Sequence, residues 1–437
     1  MICSAYSSPS RCVGNKKTGP VTGRFRKALL VWPSGSGRPT WIETRLAISP
    51  TILAVSDYRL LLSTRLLRAF GFGFSAVLLG LHLERRGLSP AAIGLTLTLA
   101  LAAATLGGLA LAAASARIGK RRGLALCGLL MAISGLDLAL PAPSWLMVGA
   151  GITGMLGAGA DQGPFAAVEQ AILSESAPDS GRNRAFARYS LTGGLASAAG
   201  AALATLAATD AIASALFGLY GVLGLATAML PLLMSGSVEG ERAGPVFASL
   251  RPLLALSALF ALDSLGGGLV VQSVIAYWLH IRFGAGSLVL GPAFTAIALV
   301  QSASYELSGR LADRIGLVNT MVFTHLPSNL LLVLVAFSPS LPWAVALLVL
   351  RYSISQMDVP ARQSYIVSIV KPSERAGAVA VTGALRGVAL ACGPVLAGLA
   401  IQGAALGFPF VAGGALKIVY DLGLYAGFRS RRGEHER

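Results

Sequence analysis

The feature that most restricts this chain is a succession of apolar runs, each about 20 residues long, separated by short polar turns. A helix of about 20 residues, rising 1.5 Å per residue, crosses the ~30 Å hydrocarbon core of a bilayer. Helices satisfy their own backbone hydrogen bonds there, where lipid offers none. Runs of this kind lie at 60–83, 90–114, 123–141, 145–173, 185–208, 211–234, 252–280, 286–308, 318–338, 342–369, 376–402 and 405–428. The prediction is an all-α membrane protein of about twelve transmembrane helices. Only 12% of its 437 residues are charged, against roughly 25% in soluble proteins, so lipid and not water is the expected solvent.

The formal charge of +16 would suit a nucleic-acid ligand if the basic residues formed a stripe interleaved with aromatics. They fall instead in short bursts between apolar runs, which argues against nucleic acid and gives an orientation, because Lys and Arg gather in cytoplasmic loops. With the N-terminus inside, Arg117, Lys120, Arg121, Arg122, Arg182, Arg184, Arg242, Arg251, Arg310, Arg314, Lys371, Arg375, Arg429, Arg431 and Arg432 are cytoplasmic, while only Arg85, Arg86 and Arg282 are external. Both termini are thus expected in the cytoplasm and the chain in the inner (plasma) membrane.

Cys3, Cys12, Cys127 and Cys392 show no metal-ligand spacing. His82, His280, His325 and His435 form no His-x-x-x-His pair, and no G-x-x-x-x-G-K-[ST] loop occurs. Neither metal, cofactor nor enzyme activity is expected. Residues 1–57 read as a basic arm broken by Pro20, Pro33, Pro39 and Pro50, equally consistent with an over-extended gene start. Further boundaries are a six-helix half at 58–234, a cytoplasmic linker at 235–251, a second six-helix half at 252–428 and a basic tail at 429–437.

The division into halves rests on an internal repeat. The loop RIGKRR at Arg117–Arg122 superposes on GRLADRIGL at Gly309–Leu317 with an offset of 197, Arg117 on Arg314. Gln170 falls on Gln363 and Arg182 on Arg375 with an offset of 193. Repeats of this kind place substrate sites between the halves, near mid-membrane.

GRLADRIG resembles the loop signature G-x-x-x-D-R-x-G of the major facilitator superfamily, matched by Gly309, Asp313, Arg314 and Gly316. The first-half loop keeps Arg117, Gly119, Lys120 and Arg121 but has Ala112 and Ala116 at the glycine and aspartate positions. The resemblance covers residues 58–428 and implies two pseudo-symmetric halves that rock to give alternating access; beside the loop motif, Glu306 with Arg310 and Arg310 with Asp313 read as a conformational latch. The resemblance also implies that the seventh span lines the substrate path. The Arg-x-x-Gln-Gly pattern of proton-coupled members and the fifth-span Gly-Pro of drug antiporters are missing; a Gly-Pro pair stands instead at Gly393 and Pro394.

Charged residues inside apolar runs are the functional candidates, because each costs roughly 3 kcal/mol or more to insert. They are Arg65, Arg68, Asp137, Asp161, Glu169, Asp263, Glu306, Arg351, Asp358, Arg362, Arg386, Lys417 and Asp421. Arg351, Ser355, Asp358 and Arg362, spaced four, three and four apart around Pro360, share one helical face. With Gln363 they could hold an anionic group, or Asp358 and Arg362 could form a lock. In the fourth span Asp161, Gln162 and Glu169 are candidates, Glu169 either as a proton carrier, since burial favours the neutral acid, or paired with Arg188. Asp263, with Gln272 nine residues on and Gly266, Gly267 and Gly268 between, reads as cavity lining or a gate. Arg65 and Arg68 could snorkel to the inner surface, Lys417 and Asp421 could neutralise each other four residues apart, and Arg386 would seek Asp358 or Glu169.

These readings converge on a monomeric secondary transporter for a small polar or anionic solute, with protons the expected coupling ion. A transporter-like sensor or assembly protein is the alternative, and a membrane-embedded lipid enzyme a weaker one.

Overall fold

A computed structural model describes residues 50–141, 143–157, 164–176, 182–239, 251–368 and 375–428. All regular structure among them is helical. The first half holds α1 (Pro50–Arg85), α2 (Pro90–Ile118), α3 (Lys120–Ala139), α4 (Ser144–Ala150), α5 (Pro164–Ser176), α6 (Arg182–Leu203) and α7 (Asp210–Met229). The second holds α8 (Arg251–Gly268), α9 (Gln272–Phe283), α10 (Ser287–Ile315), α11 (Leu317–Val335), α12 (Leu341–Ile354), α13 (Asp358–Ser368), α14 (Arg375–Gln402) and α15 (Phe408–Phe428). Eight helices among the described residues are long and apolar enough to cross a membrane. The described part of Met1–Ala54 is the opening turn of α1, and Val55–Arg437 is one compact unit. The rest of the N-terminal arm, residues 240–250 of the linker and the tail from 429 lie outside the described residues.

Helix limits follow local chemistry. Pro90 opens α2 where its missing N–H costs nothing, and the Thr209 hydroxyl accepts from the Ile212 N–H to cap α7. Gly284 closes α9 at φ 67°, a left-handed turn that glycine adopts without strain.

Three expected continuous spans are interrupted. The seventh breaks between α8 and α9, just after Gly266, Gly267 and Gly268, and the tenth breaks between α12 and α13. The fourth stops after a 3-10 turn at Gly151–Thr153 and resumes at Pro164. Its freed Met155 carbonyl accepts from the Tyr220 hydroxyl. Backbone groups inside a membrane protein require such substitutes when a helix stops.

The halves meet through α2 against α14 and α6 against α10. Polar ties join them near one end of the bundle. Ala91 N–H donates to Gln402 Oε1 at 3.2 Å, Ser287 Oγ to the Ala207 carbonyl at 3.0 Å, and His280 Nε2 lies 3.2 Å from Glu84. The turns at 86–89, 207–209 and 403–407 lie at this same end.

Candidate functional site

In the first half, Arg68 on α1 is 1% exposed. Its Nη2 donates to Glu169 Oε2 on α5 at 2.6 Å, and the Tyr189 hydroxyl on α6 donates to that same oxygen at 2.6 Å. The guanidinium lies over the Phe165 ring, 4.8 Å from its centre, a placement that suits a desolvated cation. Arg65, three residues earlier, covers the Tyr189 ring at 4.6 Å. Gly193 makes room for it, since a Cβ there would stand 2.3 Å from Arg65 Nε.

In the second half the central acid is Asp263 on α8. Lys417 Nζ of α15 donates to Asp263 Oδ1 at 2.6 Å, and Arg362 Nη1 of α13 donates to Oδ2 at 3.3 Å. Arg362 also donates to Asp358 Oδ2 at 2.8 Å, one turn before it on α13. His325 on α11 bridges two acids, with Nε2 3.6 Å from Asp263 Oδ1 and Nδ1 2.8 Å from Asp421 Oδ1. Asn329 Nδ2 donates to the other Asp421 oxygen at 2.8 Å. All seven residues are buried. Phe260, tilted against Tyr420, lies 5.8 Å from the Arg362 guanidinium. Side chains from three other helices thus converge on one carboxylate, in a setting where charge interactions are far stronger than in water.

Of the residues expected from sequence, Asp263, Asp358 and Arg362 meet in this network and Glu169 in the first-half cluster. The expected Asp358–Arg362 pair is present at 2.8 Å. Gln272 is half-buried at the start of α9. Arg351 is buried in the last turn of α12, away from any carboxylate within ion-pair reach among the described residues. Asp161 and Gln162 lie outside the described residues, as do the side chains of Gln363, Glu306, Arg310 and Asp313 and the surroundings of Gly309.

Several expected partners are corrected. Glu169 binds Arg68 and Tyr189, while Arg188 is exposed. Arg65 and Arg68 do not snorkel, because both are buried against aromatic rings. Lys417 reaches across to Asp263, leaving Asp421 to His325 and Asn329. Arg386 donates its Nε to Ser264 Oγ at 3.1 Å. In each case a long side chain finds its partner on another helix, which spacing along one helix cannot reveal. His325, Asn329 and Tyr189 are the members that sequence reasoning missed, and Lys417 was named with the wrong partner. The available signal was the pair His325 and Asn329, four apart and so on one face of α11.

The loop motifs hold the ends of the halves. Gly119 and Gly316, each at φ 85°, precede α3 and α11, in a backbone region that favours glycine. The Lys120 and Arg121 N–H groups donate to Glu239 at 2.5 and 3.4 Å. Arg121 also donates Nε to the Pro231 carbonyl at 3.3 Å and Nη2 to the Leu232 carbonyl. The carboxylate therefore occupies the positive end of α3, and the chain after α7 is pinned to the loop before it. Arg117 and Arg314 are exposed.

Comparison with known proteins bears on this architecture. A family model described as Major Facilitator Superfamily matches residues 61–350. An uncharacterised membrane protein of Saccharomyces cerevisiae is 26% identical over 417 residues, covering 84% of this chain and 93% of its own. Among solved structures, a D-xylose–proton symporter superposes with a TM-score of 0.67 at 16% identity, over 85% of this chain and 97% of its own. The nucleoside transporter NupG gives 0.66 at 14% identity, over 86% and 99%. The human organic anion transporter MFSD10 gives 0.60 at 16%, over 85% and 99%.

Proposed function

Because the chain belongs to the major facilitator superfamily, we propose that it is a secondary transporter that moves a small polar solute by alternating access and couples that movement to protons through Asp263. The observation that carries this reading is the sharing of one buried carboxylate among Lys417, Arg362 and His325. Drawing Lys417 and Arg362 away from Asp263 would let that carboxylate take up a proton, which removes the charge that holds α13 and α15 to α8. The freed cations would then need a new partner, a solute or another carboxylate, at the moment the helices rearrange. Facing Asp263 are Arg362 and Asp358 from α13, Lys417 and Asp421 from α15, His325 from α11, and Arg386 of α14 through Ser264. His325, in contact with two acids, is placed to pass that proton between them.

The polar ties near the turns at 86–89, 207–209 and 403–407 support a state closed at that end. With both termini in the cytoplasm, as the Lys and Arg distribution favours, that end is external and the state faces inward. The plasma membrane is the proposed location and a monomer the proposed unit. In proteoliposomes loaded with a pH-sensitive dye, addition of a solute that stabilises the purified protein is expected to move protons with the wild type. Asp263→Asn, correctly folded, is expected to move none. Solute flux without proton movement in the wild type, or undiminished coupled flux in Asp263→Asn, would refute the coupling.

A further inference from the structure

Arg351 differs from the other buried cations of the second half. It is 5% exposed, and its Nε and Nη1 meet no hydrogen-bond acceptor among the described residues. Its Cζ lies 4.7 Å from the ring centre of its neighbour Tyr352. One turn further, Ser355 is 3% exposed and its Oγ also has no partner among the described residues. Four residues apart, the two share a helical face. There the tenth span stops, and α13 begins at Asp358, so the positive end of α13 borders the same break. Asp358 is already engaged by Arg362 at 2.8 Å. The position 193 residues earlier, matching Arg351 in the first half, is Ala158, so the shared architecture does not demand an arginine. A buried guanidinium whose donors go unmet is costly, and inside a membrane protein such a group marks a ligand path.

We propose that Arg351 and Ser355 bind the carboxylate of a monoanionic solute at the break of the tenth span. The planar guanidinium presents two parallel N–H donors to two carboxylate oxygens, and the Ser355 hydroxyl donates a third hydrogen bond. A single unpaired cation balances a single negative charge, which favours a carboxylate over a doubly charged phosphate. The inference rests on the transporter reading and adds to it the charge of the solute.

The test is thermal denaturation of the purified full chain in nanodiscs with matched acids and amides: benzoate and benzamide, lactate and lactamide, octanoate and octanamide. At least one carboxylate is expected to raise the midpoint while its amide does not. Arg351→Gln is expected to weaken that binding about tenfold or more, Ser355→Ala by less, and Arg351→Lys to retain part of it. Should Arg351→Gln fail to fold, the lysine and Ser355→Ala variants decide. Equal shifts with acid and amide, wild-type carboxylate affinity in Arg351→Gln or unchanged affinity in both deciding variants, or no binding of any of the three carboxylates would overturn the proposal. Flux of a neutral solute by a protein that fails this test would leave the transporter reading intact. Carboxylate binding at Arg351 with no flux of any solute would retain the site and remove the transport.

Discussion

In the first half an arginine on α1, Arg68, reaches a carboxylate on α5, Glu169; in the second, a carboxylate on α8, Asp263, reaches an arginine on α13, Arg362. Glu169 and Arg362 are 193 residues apart, the offset that relates Gln170 to Gln363, and Arg68 and Asp263 are 195 apart. The two halves therefore make the same crossing contact with the charges exchanged. Glycines follow in the same register, and a Cβ at Gly73 or Gly268 would stand 2.2 Å from the Ser197 carbonyl oxygen or 2.1 Å from that of Leu390. The difference lies in what surrounds each pair. The first-half acid is held by a guanidinium and a phenol, neither of which titrates near neutral pH. The second-half acid is shared among a lysine, an arginine and a histidine, and the histidine leads on to Asp421 and Asn329. One contact reads as a strut, the other as a node that a proton can reset.

The largest expected effect comes from the node. Asp263→Asn leaves Lys417 and Arg362 buried without their shared acid and should cost roughly 3–5 kcal/mol of stability, read as a fall in thermal midpoint, along with all coupled flux. Adding Lys417→Met should return part of the stability and none of the flux. Glu169→Gln should cost about 3 kcal/mol through the stranded Arg68. The exchanged pair Arg68→Glu with Glu169→Arg, which copies the polarity of the second half, should recover most of that loss; no recovery would break the equivalence of the two contacts. Gly268→Ala and Gly73→Ala should each cost about 1–3 kcal/mol from overpacking, with similar values sharpening the symmetry. Tyr189→Phe, which removes one hydrogen bond to Glu169, should cost about 1 kcal/mol and leave the pH dependence of flux unchanged, as measured across a pH series in proteoliposomes.

Much of this was legible in the sequence. Apolar runs, scarce charge and the GRLADRIG loop point to the fold, and Asp263, Asp358, Arg362 and Glu169 stand out because ionisable groups at bilayer depth are costly. Beyond the Asp358–Arg362 pair, the partners were not legible. Lys417 and Asp421 sit four apart and look self-sufficient, yet the lysine stem is long enough to reach α8, where the acid lies. Arg188 is near Glu169 in sequence order, but Arg68 arrives from a helix 101 residues away. The exchanged charges also hid the repeat at its most informative positions, because an aligned glutamate and arginine look like a mismatch when residue identity is the guide. His325 carried no signal of cost, being neutral when unprotonated, and only its two acidic neighbours give it a role.

The most direct test of the central claim, that the second-half node and not the first-half strut responds to protons, needs no substrate. Spin labels on the turns beside Arg117 and Arg314, in a variant lacking native cysteines, report the separation of the halves by pulsed electron resonance across about pH 5 to 8. The account predicts that the distance distribution shifts with pH in the wild type and in Tyr189→Phe, and is fixed in Asp263→Asn. A distribution indifferent to pH in the wild type, or one that still shifts in Asp263→Asn, would contradict it.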